Sequence, residues 1–556
     1  MIRSGGRPPR TTSLGSGGDS LLIPLGIIAA GSVYGLWRFC VRIAGHGVAG
    51  YLLFAGLVIV ACTVLATLIL MARRGRGGAE RVRREASARA VTARAAHLRP
   101  DLGARATAAD AAIRLGALAA GGSPVHTTVE DGCLVVGPAR SGKTSGLLAG
   151  AVIDWPGPAV ATSIRPDLAA WTAAARARAH GPVWVWNPWE PLPFVGQPLR
   201  WDPTSDADDP STALRRGQVL ASAAQVGAGT ENGSDWRQVS AIVLAAYLHA
   251  AALTGASMRD VLAWSADPAD PTPVNAIRRA GLATQAWAET LARYSNEDPR
   301  MQANIFFGVR IALASLWDPV VLEATCPPAG TGFDPTALLD GGTVYVLGTP
   351  SAQQTVGPLT ALLVDEIVEV ALQRAATAAG GRLAPPLGLL LDEVANIAAL
   401  PRLPDLFSYG GGSGVFLMAV LQSLNQARRA WGEHSAKAMW DAATYKLVLP
   451  GLSDVRDLED LSRISGEYDE PTASVSTRGG LLTTATAGPD QISVTSRRRR
   501  ILEPGEIRNA RLGTALLLPR SAPPTWIHLR QVERRPDGAR LRADHDAYYQ
   551  YGATTP

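Results

Sequence analysis

Residues 137–144 place Gly137, Pro138, Ala139, Arg140, Ser141, Gly142, Lys143 and Thr144 in the spacing G-x-x-x-x-G-K-T. Glycines at those positions let backbone N–H groups approach an anion, and the pattern is one that cradles a chain of phosphates. Lys143 would neutralise the β- and γ-phosphates, the Thr144 hydroxyl would coordinate Mg²⁺, and Ser145 completes the phosphate-binding set. The expected cofactors are therefore ATP and Mg²⁺. The chain holds 53 basic residues but only three lysines, Lys143, Lys437 and Lys446. A sequence that uses arginine almost everywhere keeps a compact ammonium at the position where one must fit inside the loop.

Such a loop needs an acid to hold the metal's water shell, expected on a neighbouring strand. The apolar run 389–391 leads straight into Asp392 and Glu393. Asp392 is placed to orient Mg²⁺ and Glu393 to polarise an attacking water. A second apolar run, 414–421, ends at Gln422 and Ser423. Gln422 is a candidate γ-phosphate sensor, with a plain strand-end hydrogen bond as the alternative.

The elements that must position these groups follow from hydrophobic pattern. Residues 133–136 read as a strand into the loop, and 144–152 as the helix leaving it. Runs 182–186, 343–347 and 446–449 supply further strands, and helical stretches such as 359–375 separate them. That alternation predicts an α/β fold, a RecA-like P-loop NTPase domain with an open parallel sheet. From about residue 205 to 318 the sequence is mostly helix-forming, including 236–252 and 274–294, and predicts an all-α insertion over 205–322. The tryptophans near 184–201 fit a strand core and a packed loop. Residues 469–495, rich in Ser, Thr and Gly, predict a flexible segment, and 497–500 a solvated run of arginines. The tail from 536 has no firm assignment beyond a weakly ordered recruitment site.

The net charge is +5, but residues 1–100 carry fourteen arginines against Asp19, Glu80 and Glu85, leaving the rest of the chain at −6. The excess basicity sits beside two apolar stretches, 21–37 and 49–72. Two N-terminal transmembrane helices are the expectation. Arginines 3, 7 and 10 precede the first, and six arginines from 73 to 84 follow the second, against Arg38 and Arg42 between them. Positive-inside bias then predicts a multi-pass cell-membrane protein with the large domain cytoplasmic. The four cysteines, Cys40, Cys62, Cys133 and Cys326, show no paired spacing, against a disulfide framework or a structural zinc site.

Taken together, GPARSGKT (137–144), TSIRPDL (162–168), WNPWEP (186–191), LLLDEVANIAALPRLPDL (389–406), VLQSLNQ (420–426) and ILEPGEIRNARLGTALLLPRSAPP (501–524) resemble the type IV coupling proteins of conjugative and secretion systems, the TraG/TraD-like family. The resemblance runs from the apolar stretches to about residue 530. It implies a homo-hexameric ring of RecA-like domains with an all-α domain at its mouth. It also implies recruitment of a relaxase–DNA complex and delivery of single-stranded DNA to the type IV secretion channel components. The corresponding organisation is a membrane anchor at 1–75, a basic juxtamembrane helical linker at 76–124, the ATPase domain at 125–204 and 323–535, the insertion at 205–322 and a tail at 536–556. Ser413 stands in the glycine-rich turn where family members often carry an arginine that acts on a neighbouring subunit. Arg402, Arg428 and Arg429 are the candidates to replace it. Arg165 stands where a lysine is common. Two other functions remain open on these residues: a nucleotide-binding docking platform with little hydrolysis, and a FtsK-like double-stranded DNA translocase.

Overall fold

Four segments of the chain, CLVV, AVATS, LGLLL and VFLMAVL, are apolar or small at almost every position, as strands covered on both faces must be. A computed structural model describes residue 55 and residues 79–188, 196–348, 353–397, 399–476 and 491–552. In it those segments are β3 (Cys133–Val136), β4 (Ala159–Ser163), β8 (Leu387–Leu391) and β9 (Val415–Leu421), with every residue buried. The other strands are β1 (Ala112–Leu118), β2 (Pro124–Thr128), β5 (Val183–Trp186), β6 (Gln197–Pro198) and β7 (Thr343–Leu347). After β9 come β10 (Tyr445–Val448), β11 (Glu467–Ser476), β12 (Gln491–Arg500), β13 (Thr514–Pro519) and β14 (Thr525–His528). Both expected membrane spans, 21–37 and 49–72, lie outside the described residues apart from residue 55. Among the described residues no helix is long and apolar enough to cross a membrane.

Twelve strands make one mixed sheet in the order β2-β1-β14-β13-β10-β3-β9-β8-β4-β7-β5-β6. The run from β10 to β6 is parallel, as expected. The other side departs from the open parallel sheet: β13, β14, β1 and β2 add antiparallel strands beyond β10. Residues 112–118 therefore correct the expectation of a wholly helical linker at 76–124. Every position of β1 is buried or half-buried, without strict alternation, and its backbone pairs with both β14 and β2. The helix Ala88–Leu98 (α1) in the same stretch is as expected.

Helices cover both faces. On one side lie α2 (Ala149–Asp154) and α3 (Asp167–His180). The insertion contributes α4 (Pro210–Ala223), α5 (Gly233–Thr254), α6 (Met258–Ala266), α7 (Thr272–Ala280), α8 (Gln285–Ser295) and α9 (Pro299–Ala312). The predicted helix 274–294 is broken at Gly281, whose φ of 118° suits glycine. The insertion shares one continuous apolar core with α10 (Gln353–Thr377) and the sheet face beneath it.

A buried charge network ties the insertion to that helix. Arg215 on α4 reaches Asp365 and Glu366 on α10, each at 2.6 Å. Arg216 grips Glu366 with two nitrogens at 2.8 and 3.0 Å and donates to the Pro203 and Ser205 carbonyls. Arg402, just before α11 (Leu403–Tyr409), contacts Asp365 at 2.7 Å and Glu369 at 2.9 Å. Burial opposes ionisation of Glu366, but Arg216 and Arg215 outweigh it and hold the carboxyl below its usual range. Beyond β9 the chain turns into α12 (Leu424–Trp431), whose N-terminal cap is the Ser423 hydroxyl.

Of the segment 469–495 expected to be flexible, residues 477–490 lie outside the described residues; the stretches on either side of them, and the tail, are regular. Residues 467–476 and 491–500 form a two-stranded antiparallel hairpin, in which Glu467 is the register partner of Arg500, Asp469 of Arg498 and Glu470 of Arg497. The tail forms α13 (Gly538–Gly552) and docks on α3. Asp544 pairs with Arg178 at 2.6 Å, the Tyr549 hydroxyl donates to Asp167 at 2.6 Å, and His545 stacks on Trp171.

Arg216→Met removes one cation from the network and leaves a buried acid and two carbonyls short of a partner. Urea unfolding of the variant is expected to show a loss of about 2–4 kcal/mol. An unchanged midpoint would contradict the structural weight given to this network.

Candidate active site

The loop between β3 and the helix that follows it takes its shape from two residues in left-handed backbone, Arg140 (φ 61°) and Gly142 (φ 86°). The turn wraps Lys143, which is 6% exposed and whose Nζ donates to the Gly137 and Pro138 carbonyls at 2.8 Å each. Burial pushes the lysine's pKa down, and the charges of Asp392 and Glu393 oppose that. The Ser141 hydroxyl is buried with no hydrogen-bond partner among the described residues. Thr144 then opens a wide helical turn, Thr144–Leu148, that runs into α2. Ser145 is half-buried in the same turn.

Asp392 follows β8 directly, and its Oδ2 accepts the Thr144 hydroxyl at 2.8 Å. The two lie 248 positions apart in the chain. The strands are not neighbours, which corrects the expected arrangement: β9 lies between β3 and β8. In register, Val136 pairs with Leu421 and Leu391 with Ala419, so β3 and β9 end level, β8 ends two positions earlier, and the three release Gly137, Gln422 and Asp392 at the same end of the sheet. The Asp392 carbonyl is fixed by the Thr162 hydroxyl of β4 at 2.8 Å. Its second carboxylate oxygen, Oδ1, is buried and has no hydrogen-bond partner among the described residues. Burial pushes this carboxyl up to about 6, with the charge of Glu393 adding, while Thr144 and Lys143 hold it back.

Glu393 is 7% exposed and adopts φ 47°, a left-handed backbone that costs a non-glycine residue about 1–3 kcal/mol. The strain turns its side chain toward the end of β9. There Gln422 Nε2 donates to Oε1 at 2.9 Å and Asn396 Nδ2 to Oε2 at 3.4 Å. Gln422 thus does more than cap its own strand, because its amide holds the acid. Asn396 is not among the residues that the sequence motifs mark. Its place in D-E-x-x-N, one turn beyond Glu393, is the signal that could have found it. On its outer side Gln422 borders a polar cavity of about 690 Å³, lined also by Gln225, Asn396, Gln426 and Arg429.

The donor set fits a metal–triphosphate. Among the described residues no group of three or more His, Cys, Asp or Glu side chains is placed to hold a metal. A Mg²⁺ held by Thr144 and Asp392 would take its remaining oxygens from phosphate and water, as this ion commonly does. The orphaned Asp392 Oδ1 and Ser141 Oγ are the buried polar atoms such a ligand would satisfy. Of the arginines considered for a trans role, Arg402 is committed to Asp365 and Glu369, and Arg428 to Asp457 at 2.9 Å. Arg429 on α12 is exposed and borders the cavity. Ser413 lies in the turn before β9, where its N–H donates to the Gly410 carbonyl.

Residues 92–531 match the family model described as type IV secretory system conjugative DNA transfer. A curated relative, the conjugal transfer protein TraG of Agrobacterium fabrum (strain C58 / ATCC 33970), is 22% identical over 197 residues. That alignment covers 35% of this chain and spans 29% of the relative's length. Among solved structures, the unbound monoclinic form of the bacterial conjugative coupling protein TrwBdeltaN70 is similar at a TM-score of 0.55 and 19% identity, covering 76% of this chain and 90% of that one. The plasmid coupling protein TrwB in complex with ADP and Mg²⁺ gives 0.54 and 18%, covering 76% and 91%. These two likenesses are of fold.

The raised pKa of Asp392 gives a stability signature in the ligand-free protein. A carboxyl with a higher pKa folded than unfolded contributes stability below pH ~4, and that contribution is lost as pH rises through about 6. Asp392→Asn keeps an acceptor for Thr144 and avoids burying a charge. It is expected to unfold like the parent at pH 4 and to be more stable by roughly 1–3 kcal/mol at pH 7.5. A variant less stable than the parent at pH 7.5 would contradict the buried-anion account.

Proposed function

The chain belongs to the type IV secretory system conjugative DNA transfer family, and from that premise we propose that it is a membrane-anchored coupling ATPase. It recruits a relaxase–DNA complex, or a protein substrate, and drives its transfer to a type IV secretion channel. The observation that carries this is the convergence of Lys143, Thr144, Asp392, Glu393 and Gln422 on one edge of the sheet. The ADP–Mg²⁺ complex of TrwB supports the same ligands here.

In this mechanism the loop's N–H groups and the Lys143 ammonium hold the β- and γ-phosphates. Bound Mg²⁺, held by Thr144 and Asp392, would spread the charge that develops on the transferred group. Glu393, oriented by two amides, takes up a proton from the water that attacks phosphorus. Gln422 lies between Glu393 and the cavity that borders the insertion, so hydrolysis can be felt as a change in its hydrogen bonds. The family's ring assembly, here a homo-hexamer acting on single-stranded DNA, is part of the proposal. So are the two spans and the cytoplasmic placement, which rest on the apolar stretches and their flanking arginines. The −6 charge of residues 101–556 argues that DNA is gripped at local sites rather than by the field of the whole body.

Turnover measured on the purified protein with and without single-stranded DNA tests this. DNA-stimulated hydrolysis is expected, with Glu393→Gln retaining nucleotide binding while losing roughly 10²–10⁴-fold in rate. Lys143→Ala should lose both binding and turnover. Nucleotide binding with no turnover under any condition would instead favour a docking platform.

A further inference from the structure

The triphosphate end of the site is set by Asp392, Glu393 and Gln422, which stand on the β9 and β8 side of the phosphate loop. On the opposite side of β3 lie β10, β13 and β14, the side left for the other end of a nucleotide laid across the loop. The chain leaving β14 passes there. Leu529 is pinned by its N–H to the Gly513 carbonyl at 2.8 Å, and Gln531 precedes the tight turn Val532–Arg534. The Gln531 side chain lies against the phosphate loop and the helical turn after it. A Cβ built on Gly142 would stand 3.6 Å from its Nε2, and one built on Gly146 only 3.1 Å. Glycine at 146 thus keeps space open for this carboxamide. No hydrogen bond to the carboxamide is present among the described residues, although the group is half-buried and offers both donor and acceptor.

Beside it, Arg530 lines a small cleft with Gly146, Gly150, Arg114 and Arg535. Arg535 is neutralised by Asp154 at 2.6 Å and by Asp537 at 3.0 Å. Arg114 donates to the Gly116 carbonyl, and Arg530 has no carboxylate partner among the described residues. Burial, then the like charges of Arg114 and Arg535, push the Arg530 pKa down. An anion or a flat π-face at that position would relieve the crowding.

We propose that Gln531 and Arg530 form the nucleoside end of the site, with the Gln531 carboxamide hydrogen-bonding the base or ribose of a nucleoside triphosphate and Arg530 lying against the same moiety. This rests on the phosphate-site assignment and extends it to the part of the ligand that the loop motif leaves unread. A carboxamide can present either its N–H₂ or its oxygen, which suits contact with a purine edge of either polarity.

Calorimetric titration of the detergent-solubilised full chain with two probes, Mg²⁺–ATP and Mg²⁺–tripolyphosphate, separates the two ends. Gln531→Ala is expected to weaken ATP about 5–10-fold, the worth of one or two hydrogen bonds, and to leave tripolyphosphate within about twofold. Gln531→Asn, which keeps the carboxamide but withdraws it by one methylene, should fall between, with the parent's melting temperature. Unchanged ATP affinity in Gln531→Ala, or an equal loss for both probes, would overturn the proposal. Parent protein that binds neither probe would overturn the phosphate-site assignment itself, and this proposal with it.

Discussion

The hydrogen bond from Thr144 to Asp392 joins two residues 248 positions apart, and the rest of the site is arranged around the anion it secures. A carboxylate as buried as Asp392 is tolerated only where donors and a cation compensate it. Thr144 supplies the donor and Lys143 the charge, and both come from one loop whose left-handed residues fix their direction. The remaining oxygen of Asp392 is left without a partner among the described residues. That combination, a held anion with one unpartnered acceptor oxygen beside an ammonium, is what a metal–phosphate ligand would complete.

The strand between the two halves matters for mechanism. Because β9 separates β3 from β8, Gln422 at its tip reaches and holds Glu393 directly, while Asp392 reaches Thr144 across the end of β9. The segment after Glu393 continues through Asn396 to Arg402, which enters the buried charge network with Asp365 and Glu369. That network in turn holds Arg215 on the insertion's first helix. Hydrogen bonds at Glu393 and ion pairs at Arg402 therefore stand at the two ends of one short stretch of chain. The insertion shares its core with α10 and the sheet, which limits its freedom to move independently of them.

What the sequence disclosed was local. Lys143, Thr144 and the strand before them follow from spacing within a dozen residues, and β8 and β9 from apolar runs too uniform for half-exposed strands. Strand order is not local, so the place of β9 between β3 and β8 could not be read from either. The antiparallel strands were missed for a different reason. In β1 an Arg and a Gly interrupt the apolar pattern, and Gly116 sits where the register shifts against β2, its missing side chain leaving room for the His528 carbonyl. The tail helix α13 is held by partners such as Arg178 and Asp167, more than 360 positions earlier. Its own sequence, with little apolar surface, gave no hint of docking. Gln531 escaped notice for the same cause: its significance lies in what it approaches.

The central claim is that Thr144 and Asp392 jointly hold a metal against a bound triphosphate. Pulsed electron–nuclear double resonance on Mn²⁺ bound to the protein with ATP tests it most directly, because ³¹P couplings report phosphate oxygens on the metal. Protein-bound Mn²⁺ with phosphorus couplings is the expected result, with loss of that species in Thr144→Val and Asp392→Asn. An identical spectrum in both variants, or no protein-bound metal–nucleotide at all, would contradict it.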